Sequence, residues 1–211
     1  MNIPQQMVDG RRITDEATLK VVTMVYAGLI NKNIVATLQS AGCNAIGITG
    51  ADANTILAHK RETGNIDYGF AGDVDEVNTG FLQSLLQQGL SPVIAPITHN
   101  GKGQLLNTNA DTIAQEIARA MSAAYAVDLV YSFEKSGVLL DAANNDSVIP
   151  KITPAYYREL KEKQVIFAGM IPKLDNAFKA LGDGVKNVII GDAEELPALL
   201  SGQRGTTLMH E

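Results

Sequence analysis

From Asn44 to the C-terminus, short apolar runs alternate with helix-forming segments. Residues 44–49, 92–97, 129–132 and 185–190 read as buried strands. Residues 79–88, 110–124, 154–164, 172–181 and 194–200 read as helices. Pro154 and Pro172 suit first helical turns, where the missing N–H costs nothing. Such alternation predicts a largely parallel sheet covered by helices on both faces. With no repeats, low-complexity tracts or linkers, one domain spanning residues 1–211 is the simplest expectation.

Two segments add to this frame. Residues 55–61 and 68–74 read as strands of a hairpin turning over 62–65. Near the N-terminus, Thr14-Asp15-Glu16 reads as a helix start, with a hydroxyl to cap free amides and acids in the first turn. Val21, Val22, Val25, Leu29, Ile30, Ile34 and Leu38 then recur at helical spacing until Ala41-Gly42 ends the pattern. A helix this long, with a wide apolar stripe, either spans a core or forms an oligomer contact.

Composition narrows the function classes. The 211 residues carry a net charge of −6, which disfavours general binding to phosphate backbones. A single cysteine, Cys43, offers no internal disulfide. The longest near-apolar run, 120–130, is interrupted by Ser122 and Asp128 and falls short of the ~20 residues of a bilayer span. The N-terminus has neither the basic nor the apolar region of a secretory signal. A cytoplasmic protein with no membrane or nucleic-acid partner is expected.

Standard phosphate motifs are missing. Gly101-Lys102-Gly103 begins like a dinucleotide fingerprint but lacks its last glycine, and no P-loop is present. His59, His99 and His210 do not have zinc-ligand spacing. Asp73-Val74-Asp75-Glu76 reads as a solvated turn rather than a cation loop.

Four places hold more polar chemistry than a turn requires. Asp9 to Thr14 puts Arg11 and Arg12 just before a helix N-terminus, a receptor for a carboxylate or simply two exposed arginines. Asn107, Asn109 and Asp111 alternate in a strand-to-helix loop, where one cap would suffice. Lys173 falls in the first turn of a helix, where the dipole favours anions; it is either a surface lysine or half of an anion site. Residues 132–139 form a loop after a strand that either covers a nucleotide or only connects elements.

Taken in order, GRRITDEATL (10–19), NKNIVATL (31–38), AIGITGADANTI (45–56), GFAGDVDEV (69–77), GLSPVIAPI (89–97), NTNAD (107–111), GMIPK (169–173) and GTTL (205–208) resemble the amino acid kinase family, and within it the kinases of N-acetyl-L-glutamate. The resemblance covers nearly the whole chain. It implies a three-layer α/β/α sandwich with a mainly parallel central sheet, and ATP-dependent phosphorylation of a side-chain carboxylate in arginine biosynthesis. It further implies Lys173 as the catalytic lysine, Asp111 as the residue holding catalytic lysines, and Arg12 and Asn107 as ligands of the substrate's α-carboxylate. Glu134, Lys135, Ser136, Gly137, Val138 and Leu139, with Val165, Ile166 and Phe167, match segments lining the nucleotide. Mg²⁺ would arrive with ATP, so no protein metal ligands are assigned, and a homodimer is implied, with residues 14–41 as its contact.

The acceptor carboxylate is ionised at neutral pH, so such a reaction needs charge stabilisation and positioning rather than a general base. Two departures stand against the resemblance. Phe133-Glu134-Lys135-Ser136 replaces the family's Thr/Ser-Asp before Gly137. The family also begins with a strand–helix–strand unit, on the order of 30 residues, carrying a second lysine and a His-Gly-Gly-Gly loop. That unit is not among these 211 residues, so the chain is expected to be N-terminally incomplete, with exposed strand edges and negligible activity by itself. The alternatives are a kinase of another acylglutamate such as N-succinylglutamate, a sibling kinase of a carbamate or nucleotide, and a non-catalytic ligand-binding remnant.

Overall fold

The structure, a computed structural model, describes residues 7–8, 11–62, 66–141, 143–166 and 170–210. Its contacts divide the chain into two compact units, Met1–Ile113 and Ala114–Glu211.

The first unit opens with a two-residue ribbon, β1 (Met7–Val8) paired antiparallel with β2 (Arg11–Arg12). A continuous helix follows, made of α1 (Glu16–Val22), a π-helical stretch (Thr23–Ile30) and α2 (Asn31–Ser40). Its cap is Asp15, whose carboxylate accepts from Thr18 N at 2.7 Å. The expected hydroxyl cap, Thr14, is used elsewhere. Its N–H donates to Tyr68 O and its carbonyl accepts from Phe70 N, so its backbone is committed to the neighbouring strand. Gly42, at φ +80°, ends the helix in the left-handed region that Cβ-bearing residues avoid.

Strands β3 (Ala45–Thr49) and β6 (Ser91–Ala95) pair in parallel from Ala45↔Ser91 to Thr49↔Ala95. Helices α2 and α3 (Thr79–Gln87) pack against them. Buried Asn31 donates to Val93 O at 2.8 Å, and Lys32 Nζ donates to Gly47 O at 2.8 Å. The expected hairpin is present as β4 (Ile56–Lys60) and β5 (Ala71–Val77), antiparallel. With β7 (Ile97–His99) and β8 (Leu105–Thr108) it closes into a four-stranded ring. The run 92–97 is thus not one strand, because the chain leaves β6 after Ala95 and Pro96 has no N–H for a ladder. Arg61 Nε donates to Asp73 at 3.0 Å across the hairpin, and its guanidinium NH₂ makes a second bond to the same carboxylate.

The second unit holds a four-stranded sheet in the order β10 (Lys151–Ile152), β12 (Thr206–Leu208), β11 (Asn187–Asp192), β9 (Asp128–Phe133). The long pair, β9 with β11, is parallel over six residues; β12 runs antiparallel to β11. Helices α5 (Pro154–Glu162), α6 (Ile171–Gly182) and α7 (Leu196–Leu200) accompany it, and α4 (Ala110–Met121) crosses the division between the units. Leu174, Ala177, Ala180 and Leu181 line the buried side of α6 against Val188, Ile190 and Leu208. Parallel strands flanked by helices are the expected α/β architecture.

One expectation is corrected here. Glu16–Ser40 is a single helix of 25 residues with a mean hydropathy of 1.4 over its most apolar 18-residue window. By length and composition it could cross a bilayer. A search for unbroken apolar runs misses it, because Lys, Asn and Thr interrupt the run without lowering the average enough. Only 11% of that window is buried.

Candidate functional site

In the first unit, the sequence-predicted polar residues separate by what their side chains do. Asn109 caps α4, accepting from Thr112 N at 3.0 Å. Asp111 sits in that helix's first turn, where the dipole favours a carboxylate. Asn107 is no cap. It lies within β8, which pairs in parallel with β5 and antiparallel with β7. Its backbone N–H donates to Phe70 O at 2.8 Å, and its Nδ2 donates to Thr14 Oγ1 at 3.0 Å. One Nδ2 hydrogen serves Thr14, and the amide has a second to offer.

Thr14 is therefore a junction. Fully buried, it ties the Arg12 segment to Tyr68–Phe70 through its backbone and to Asn107 through its hydroxyl. Gly69, at φ +65°, makes the approach possible, since a Cβ there would collide with the Thr14 carbonyl oxygen. Sequence reasoning treated Thr14 as a cap and missed this. Of Arg12 the backbone alone is described, paired with Met7. Gly72 permits a second close approach, beside Thr98 and Thr108, whose buried hydroxyls are 2.8 Å apart.

In the second unit, a cleft is lined by Lys135, Gly137, Val138 and Leu139 from one segment, Val165 and Ile166 from another, and Met170. Six of these seven were singled out from sequence; Met170 was passed over because GMIPK was read for its lysine. Glu134 is exposed and Ser136 half-buried, and neither lines the cleft. Phe167 lies outside the described residues. Lys135 Nζ donates to Asn145 Oδ1 at 3.4 Å. The walls are mostly apolar, as suits a flat ring held between aliphatic side chains.

Lys173 is half-buried in the first turn of α6, a turn with no acidic residue. That turn is anchored to α5 by Tyr157. Its hydroxyl donates to Asp175 Oδ1 at 2.8 Å and contacts Ile171 O at 3.3 Å, while its ring stacks on Phe178 with centroids 5.1 Å apart. Burial first, then the Asp175 carboxylate, push the Tyr157 hydroxyl well above the usual phenol range, so it stays a donor. Among the described residues, no cluster of three or more His, Cys, Asp or Glu side chains is placed to hold a metal ion.

A parallel α/β framework with an apolar cleft and a lysine at a helix start suits phosphoryl transfer, and comparison with known proteins agrees. The pattern of the amino acid kinase family matches residues 1–192. The chain belongs to the amino acid kinase family. An acetylglutamate kinase from Cytophaga hutchinsonii is 59% identical over 99% of this kinase chain and 80% of its own length. One from Phocaeicola vulgatus is 58% identical over 90% of this chain and 74% of its own. Among solved structures, a protein from Streptococcus mutans superposes with a TM-score of 0.80 at 29% identity, covering 98% of this kinase chain and 78% of that one.

Proposed function

We propose that this amino acid kinase transfers the terminal phosphoryl group of ATP to the side-chain carboxylate of N-acetyl-L-glutamate, a step of arginine biosynthesis, in the cytoplasm. The observation that carries the reading is the 55–59% identity to acetylglutamate kinases over nine-tenths or more of the chain. Residues 1–211 are read as part of one kinase domain built from the two compact units.

In this reading, Arg12 and Asn107 hold the α-carboxylate of the substrate. Thr14 supports the assignment for Asn107 by fixing its amide while leaving one N–H to donate. Lys173 neutralises charge on the phosphoryl group in transit, and Asp111 holds catalytic lysines in place. The segments from Glu134 to Leu139 and from Val165 to Phe167 receive the nucleotide. Mg²⁺ enters with ATP rather than through a protein cage. Donor, acceptor and moving group are all anionic, so the protein contributes cations and alignment, and no general base is required.

A homodimer belongs to the same proposal, with the helix Glu16–Ser40 as its contact. What supports it is the apolar side chains exposed along that helix: Met24 (54% exposed), Leu29 (62%), Ile30 (43%) and Ile34 (44%). A second copy is the assigned occupant, and sedimentation in the presence and absence of phospholipid vesicles tests it: a monomer, or a chain carried with the vesicles, overturns the assignment.

Acyl phosphate formation by the chain joined behind the family's strand–helix–strand unit, trapped with hydroxylamine, tests the chemistry. N-acetyl-L-glutamate is expected to exceed N-succinyl-L-glutamate and carbamate as acceptor. Lys173→Met is expected to slow the reaction about 100-fold or more, as when a charge-stabilising donor is removed. Undiminished turnover in that variant would end the role given to Lys173.

A further inference from the structure

The GTTL segment carries no role in the reading above, yet its first threonine sits directly behind the cleft. Thr206 is fully buried on β12. Its hydroxyl has one proton to give and lone pairs to receive, and both functions are used. Oγ1 donates to Ile149 O at 2.7 Å and accepts from Val138 N at 2.8 Å. Val138 O in turn accepts from Ile149 N at 2.8 Å. Both backbone polar groups of Val138, a cleft-lining residue, are therefore set by this one junction.

The neighbouring residue shows how close the approach is. A Cβ on Gly137 would lie 2.7 Å from Thr206 Oγ1 and 2.9 Å from Val148 Cγ1, so only glycine lets the segment press onto the hydroxyl. The strand behind it is well fixed. Thr206 pairs with Ile190 of β11, Thr207 N donates to Pro150 O at 2.9 Å, and Leu208 is fully buried. Gly205, at φ +80°, feeds the chain into that register, and a Cβ there would meet Ile190 O at 2.7 Å.

We infer that Thr206 is the positioning residue of the cleft: its hydroxyl transmits the register of the sheet to Gly137 and Val138 and so sets the wall on which a nucleotide lies. This deepens the proposed function and rests on its reading of the cleft as the nucleotide site. Thr206 touches no ligand; it acts through the backbone of residues 137–138.

The test uses the full chain and Mg-ADP as probe, followed by calorimetry. Leu139→Trp, which fills the cleft from its own wall, is expected to abolish binding; if it binds like wild type, the cleft is not the nucleotide site and the inference falls with that reading. Thr206→Val keeps the shape but leaves Val138 N–H and Ile149 C=O unpaired, and it should weaken ADP about tenfold, while Thr206→Ser stays within about twofold. In kinetics of the chain joined behind the family's strand–helix–strand unit, the loss should appear in KM for ATP and leave KM for the carboxylate acceptor unchanged. Hydrogen exchange at the Val138 amide should speed up in Thr206→Val and not in Thr206→Ser. ADP affinity in Thr206→Val equal to wild type, with Leu139→Trp inactive in binding, overturns the inference. Should Thr206→Val not fold, Gly137→Ala decides by crowding the same hydroxyl from the opposite side. It is expected to weaken ADP about tenfold, and wild-type affinity there likewise overturns the inference.

Discussion

The helix Glu16–Ser40 and helix α6 are both rich in apolar residues, and they meet opposite fates. On α6, Leu174, Ala177 and Ala180 are wholly buried and Leu181 is 2% exposed, packed on the strands of their own unit. In the π-helical stretch Thr23–Ile30 of the other helix no residue is buried, and Leu29 is 62% exposed. The difference teaches that apolar helical spacing marks a face that must be covered but does not say by what. The π geometry contributes, since its wider turn carries successive side chains out of the stripe expected at 3.6 residues per turn.

This contrast can be broken by mutation, beginning where the loss should be greatest. Leu174→Ala removes a fully buried side chain and should cost about 2–5 kcal/mol in urea unfolding. Leu29→Ala, by contrast, should stay within ~0.5 kcal/mol when unfolding is measured on a dissociated chain. An equal cost at the two sites would show that Leu29 is packed within its own subunit. If the proposed homodimer forms through this helix, the double variant Leu29→Glu/Ile34→Glu should raise its dissociation constant by about tenfold or more, read by sedimentation, because charge would be placed in the contact.

The starts of the two helices sharpen the comparison. Tyr157→Phe frees the first turn of α6 from α5 and should cost about 1.5 kcal/mol, the scale of a hydrogen bond to a charged group. Asp15→Ala strips the cap from α1 and should lower stability at neutral pH by the smallest amount of the series. That last effect depends on pH in a defined direction. Bonds from the Thr18 amide and hydroxyl hold the Asp15 carboxyl below the usual carboxylate range. The folded chain thus gives up this proton more readily than the unfolded chain. The cap's contribution is complete above the ordinary Asp range, about pH 4, and fades as pH falls through the depressed value. Wild type and Asp15→Ala should therefore converge in stability at low pH, and a gap that persists there would assign the loss to something other than the charged cap.

Much of the fold was legible in the sequence because it is local. The hairpin of β4 and β5, the strand β3, most of β6, and the helices beginning at Thr79, Ala110 and Pro154 follow from spacing, prolines and apolar runs; that β3 and β6 are partners does not. The two- and three-residue strands β10 and β12 were not foreseen, since runs so short have no period to detect. In the candidate site, Lys135, Gly137, Val138, Leu139, Val165 and Ile166 were selected as residues, and their meeting in one cleft was not derivable from spacing. Thr14 and Thr206 show the limit most clearly. Each looks like an ordinary threonine in a motif, and each acts through partners far along the chain: Asn107 for Thr14, Val138 and Ile149 for Thr206.

By itself, the sequence determined where most helices and long strands form, because propensity and periodicity act over a few residues, and the order of its motifs carried the resemblance to the family. Tertiary structure alone decided that Asp15 rather than Thr14 caps the first helix, that Asn107 is spared for other work while Asn109 caps, and that one buried hydroxyl holds the cleft wall. The physical reason is common to all three. A hydroxyl or amide pairs with whichever complementary group the fold brings within about 3 Å, and that neighbour is set by the packing of distant segments.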